Sequence, residues 1–125
     1  MNEQAEELKA RTKKFALDVI RFVRLLPGTD DGRLVGQQLI RAGTGVGANY
    51  RAVCRSRSRA EFVARIGVAL EEADESAFWL EAIVEIRMVS GNRAAELLDE
   101  ANQLTAILAA SRITASGGPN PNLKS

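Results

Sequence analysis

The sequence predicts an all-α chain folded as an up-down-up-down four-helix bundle, and three observations carry that prediction. Apolar residues recur at alternating three- and four-residue steps in successive segments. Short turn signals separate the segments: Pro27-Gly28, Arg57-Ser58 and Ser90-Gly91-Asn92. No proline interrupts residues 28–118, and nowhere does the chain alternate as a half-buried strand would.

The first segment, about Glu3 to Leu26, carries a stripe of Leu8, Phe15, Val19, Phe22 and Leu26, which Ala16, Ile20 and Val23 widen to a core-facing width. Pro27-Gly28 ends it, and Thr29 and the aspartates after it offer caps for the next helix. The second segment, about Asp31 to Arg57, places Val35, Leu39, Ala42, Val46, Asn49 and Val53 on one seam. Asn49 therefore falls where an apolar residue belongs, as a polar bundle residue that fixes register. Gly36, Gly43, Gly45 and Gly47 share this segment, and each costs about 1 kcal/mol relative to alanine in a helix. They imply a close approach of another backbone, a bend, or a break near Gly43–Gly47.

Ser58 with Glu61 forms a capping box for a third helix running to about Val89. Its seam is Val63, Ile66, Leu70, Ala73, Ala77, Leu80 and Val84, while Phe62, Ala69, Phe78, Trp79, Ile83 and Ile86 add apolar surface elsewhere. So much apolar surface implies a central helix or one shared between subunits. The fourth helix carries Ala94, Leu97, Ala101, Leu104 and Leu108 and fades near Ala115. One domain over residues 1–116 results, with 117–125 expected as a disordered tail.

Composition narrows the function classes. With Cys54 as its single cysteine the chain has no intrachain disulfide, which suits a reducing cytoplasm. The charged N-terminal stretch lacks an apolar signal core, and no apolar run reaches the roughly 18 residues of a membrane span. Net charge is only +1, but the charges are segregated. Residues 41–65 hold six arginines and one acid, whereas residues 71–85 hold six acids and no base.

No catalytic constellation emerges. Gly43–Gly47 reads GTGVG but lacks the Gly-Lys-Ser/Thr of a phosphate loop and any preceding strand. Histidine is absent, which removes His-based triads and the Glu-x-x-His pairs of di-metal bundles. The carboxylates Glu71, Glu72, Asp74 and Glu75 read as a solvated or intersubunit face. The expectation is a non-enzyme without metal or cofactor.

The arginines are the strongest functional signal. Arg51, Arg55 and Arg59 follow at four-residue intervals and Arg57 sits at the turn, gathering guanidinium groups at one end of the bundle. Such groups match phosphate geometry and support salt-sensitive, sequence-tolerant binding of RNA or DNA. Tyr50 alone is near enough to stack a base. The competing reading is an interaction scaffold in which these arginines meet Glu71, Glu72 or Glu75 of a neighbouring subunit, across an interface including Phe78 and Trp79.

The stretch GTGVGANYRAVCRSRSRAEFVARIGVALEEADESAFWLE resembles the bacterial four-helix bundle family named after proteins encoded in intervening sequences of 23S ribosomal RNA genes. The matching features are Gln38 to Gly43, Asn49 after Gly-Ala, the Ser/Arg-rich residues before Glu61-Phe62, and Ala69 to Glu75 followed by Trp79-Leu80-Glu81. The chain departs from many relatives at Gly47, where they have proline, and at Tyr50–Val53, where they have an Ala-Glu-Gly run, so the role of that glutamate does not transfer. The resemblance implies a left-handed bundle and a ring-shaped homopentamer. It also implies a possible reverse transcriptase partner, since one related branch is the accessory protein of diversity-generating retroelements and binds that enzyme and nucleic acid.

Overall fold

A computed structural model describes residues 2–117. Among them are four helices: α1 (Glu3–Val23), α2 (Asp30–Val53), α3 (Arg59–Ile86) and α4 (Arg93–Ala115). Of the tail expected at 117–125, all but Gly117 lies outside the described residues.

Local chemistry sets most of the boundaries. The side chains of Asn2, Thr29 and Ser58 accept from the backbone N–H groups of Ala5, Gly32 and Glu61, capping α1, α2 and α3. The Glu61 carboxylate pairs with Arg65 at 2.8 Å, one turn along the helix. Asn92 precedes α4 without a side-chain capping bond. α3 stops at Arg87, whose left-handed backbone (φ 60°) lets its own N–H and that of Met88 reach the Ile83 and Val84 carbonyls. α1, α2 and α3 end three or four residues earlier than the sequence pattern suggests, because the apolar residues beyond Val23, Val53 and Ile86 pack from the connecting turns.

Contacts between helices run antiparallel throughout. Gly43 lies against Val19, and Gly47 against Thr12 and Ala16, pairing α1 with α2. Gly45 faces Glu72 and the Ala52 carbonyl accepts from Arg65, pairing α2 with α3. Gly67 lies under Arg112, pairing α3 with α4. The closing pair, α1 with α4, has the sparsest packing of the four. Arg11 spans it with two bonds to Glu100, at 2.8 and 2.7 Å, and Asp18 lies 3.8 Å from Arg93. The architecture is the expected up-down-up-down bundle, and among the described residues no helix is long and apolar enough to cross a membrane.

The core is a column of Phe15, Val19 and Phe22 against Leu39, Val46, Ile66, Leu80, Ile83, Leu104 and Leu108. α2 is continuous, so its glycines serve close packing and not a break. Besides glycines, its buried residues are Val35, Leu39, Ala42, Val46, Tyr50 and Val53. That corrects the placement of Asn49, which strict three-four alternation puts on the seam. The seam position belongs to Tyr50, while Asn49 is half-buried and donates to the Gly45 carbonyl of its own helix at 2.7 Å. In α3 the buried face is turned the other way, taking in Ala69, Ser76 and Ile83 and leaving Val84 exposed. The buried hydroxyls of Thr12 and Ser76 donate to the carbonyls of Lys9 and Glu72.

Substitutions at Gly43 and Arg87, with Gly28 as a control, test the packing and the end of α3. A Cβ at Gly43 would stand 2.8 Å from both methyl carbons of the fully buried, χ1-restricted Val19. Gly43→Ala is expected to lower unfolding free energy by about 1–2 kcal/mol despite its better helix propensity, whereas Gly28→Ala, where a Cβ meets nothing, should be neutral or slightly stabilising. Arg87→Gly should stabilise by about 1 kcal/mol, because it relieves the left-handed conformation of a residue with a Cβ. Urea unfolding midpoints measure both.

Candidate nucleic-acid interface

The α2–α3 connection spans only Cys54 to Ser58, so the C-terminal turn of α2 and the N-terminal turns of α3 sit side by side. Between them runs an open groove of about 610 Å³ walled by Arg51, Arg55, Arg57 and Arg65, with Glu61 among them and Ala48 and Ala52 lining the remainder. Arg51 lies in the last turn of α2, and Arg55 follows it in the connection. Arg57 projects from the connection, and Arg65 comes from the facing wall.

These arginines are not equivalent. Arg65 donates to the Ala52 carbonyl at 2.8 Å, which also accepts from the Arg55 backbone N–H at 3.0 Å, and pairs with Glu61. Among the described residues, Arg51, Arg55 and Arg57 are exposed and their guanidinium groups make no hydrogen bond or ion pair within the chain. Their charges stand together with one carboxylate in reach, and Arg65 already holds it. A dianionic or polyanionic ligand would relieve that repulsion.

Arg59 departs from the group. Its Nε donates to the Ala115 carbonyl at 2.6 Å, closing the C-terminus of α4, and it borders a separate cleft beside Phe62 and Cys54. The fourth guanidinium of the groove is therefore Arg65, and its signal in the sequence was the Glu61–Arg65 spacing on the side of α3 that faces α2. Tyr50 is also removed from any stacking role. It is 4% exposed, and burial pushes its phenol up to about 12, with neighbouring Cys54 adding to the shift. Cys54 is half-buried against the core, and burial raises its thiol in turn.

The acidic residues of α3 lie farther along the same face. Glu72 and Glu75 are engaged by Arg41 of the same chain, the former at 3.6 Å and the latter by a direct hydrogen bond. Burial raises the Glu72 carboxyl above its ordinary value; Arg41 opposes that shift, and Glu75 and Glu71 add to it. Glu75 also accepts from the Trp79 indole at 3.3 Å. Trp79 is half-buried and meets Phe78 edge-on with ring centroids 4.9 Å apart, while Phe78 itself is 58% exposed. Glu71 projects to solvent. The structure thus brings Glu72, Glu75 and Trp79 together around Arg41 and leaves Glu71 and Phe78 outward.

Among curated proteins, none matches this chain. A solved structure from Bacteroides thetaiotaomicron, described as a protein of unknown function from the S23 ribosomal protein family, shares its fold. The TM-score is 0.77 at 24% identity over 84% of this chain and 97% of that one. Residues 6–110, which take in all of α2 and α3 and both walls of the arginine groove, match the family described as 23S rRNA-intervening sequence protein, and the chain belongs to that family.

Proposed function

We propose that this protein is a non-catalytic homo-oligomeric helical bundle that binds RNA or DNA through phosphate contacts in the α2–α3 arginine groove. The observation that carries this reading is the convergence of Arg51, Arg55 and Arg57, unpaired among the described residues, on a groove whose single acid is held by Arg65. Guanidinium groups so placed bind phosphates without reading bases, so affinity depends on charge and salt and hardly on sequence.

Self-association is the other half of the proposal. Val68 and Phe78 are exposed on the outward side of α3 beside the acids Glu71 and Asp74. An apolar and acidic strip of this kind suits the surface of a second copy better than it suits water. The rival scaffold reading sends the groove arginines to carboxylates of a neighbour. Because Arg41 already occupies Glu72 and Glu75, Glu71 is the one of the three acids in that reading left to receive them.

Two measurements test these statements. Replacing both Arg51 and Arg55 by alanine should weaken binding of unrelated RNA sequences about equally, by tenfold or more at low salt. It should also lower the slope of log affinity against log salt by about 2. Unchanged affinity would defeat the groove. Phe78→Asp should reduce the assembly mass in light scattering while leaving the helical circular dichroism intact, and retention of the parental mass would remove this strip from the interface.

A further inference from the structure

Building on the phosphate-binding reading above, we infer that the groove is made for the backbone of a double-stranded nucleic acid in preference to a single strand. Its walls present guanidinium groups from both sides: Arg51 from α2, Arg55 and Arg57 from the connection and Arg65 from α3. Between them Ala48 and Ala52 provide short side chains over which a phosphodiester chain can lie close to the helices.

What the groove lacks is a surface for bases. None of its lining residues is aromatic. Of the chain's aromatic side chains, Phe15, Phe22 and Tyr50 are buried, and Phe62 and Trp79 are packed against the core. Phe78 is exposed, but it stands thirteen residues beyond Arg65 on α3, about 20 Å along the helix axis.

Single-strand binders draw about 1–3 kcal/mol per base from stacking on aromatic rings, and this groove offers none of that compensation for unstacking a strand. A duplex keeps its bases stacked on one another and presents only phosphates. Its higher charge density also releases more counterions per contact, with a slope of about 0.9 per phosphate against about 0.7 for single strands. The three unpaired guanidinium groups, with Arg65 held by Glu61 beside them, therefore gain more from a duplex backbone than from a strand of the same length.

The test uses the full chain and fluorescence anisotropy with 20-nucleotide probes: duplex RNA, duplex DNA and each component strand, across a salt series. At least one duplex is expected to bind about tenfold tighter than either of its strands, equally for two unrelated sequences, with a salt slope near −3 to −4. The separate RNA and DNA arms identify which duplex form is taken. Strands that bind as tightly as, or tighter than, both duplexes overturn the duplex preference and leave phosphate binding standing. Absence of binding to any probe overturns both. In the Arg51→Ala/Arg55→Ala variant the duplex advantage should fall with the affinity; an advantage that survives intact would place duplex binding elsewhere on the protein.

Discussion

The register between α2 and α3 is the constraint on which the rest of this structure depends. Gly45 lets the Glu72 carboxylate lie directly against the α2 backbone, since a Cβ there would stand 2.9 Å from its Oε2. Arg41, one turn earlier on α2, then reaches both Glu72 and Glu75. This clasp sits midway along the helix pair, half-shielded from water, where a charged pair is screened less than at an open surface. Two turns away, the same register sets Arg65 opposite the Ala52 carbonyl and so closes the second wall of the arginine groove.

From that register follows a division among the arginines. Arg59 and Arg65 do structural work on the exposed carbonyls that end α4 and α2, where the helix dipole favours a cation. Arg51, Arg55 and Arg57 have no such task among the described residues. Like charges held together by short connections cost repulsion, and among the groove's lining residues Glu61 is the one counter-charge. The glycines of α2 have the opposite meaning. GTGVG suggests a phosphate-binding loop only when read without its context; in the helix it is the place where α1 and α3 approach from either side, Val19 and Thr12 against Gly43 and Gly47, Glu72 against Gly45.

Most of the architecture was legible because it rests on local signals. Caps at Thr29 and Ser58, the stop at Pro27-Gly28 and the four apolar stripes each act within a few residues, so they survive in the linear text. The errors arose where the exact rotation of a helix about its axis chooses between neighbouring residues: the buried position is Tyr50 and not Asn49 in α2, one residue later, and Ile83 and not Val84 in α3, one residue earlier. The candidate site was half legible. Arg51, Arg55 and Arg57 stand close together in the chain and were found there; Arg65 and the departure of Arg59 depend on which carbonyl each guanidinium meets across a helix pair.

By itself, then, the sequence determined four helices, their order, their short connections and the concentration of arginine at one junction, all consequences of periodicity, capping and charge content. Only the tertiary structure decided which charges remain free. Ion pairs and carbonyl contacts join residues as far apart as Arg41 with Glu75, and Arg59 with Ala115. Their existence depends on helix register and rotation, which no local pattern specifies, because a turn of 100° per residue converts a one-residue shift into a different face.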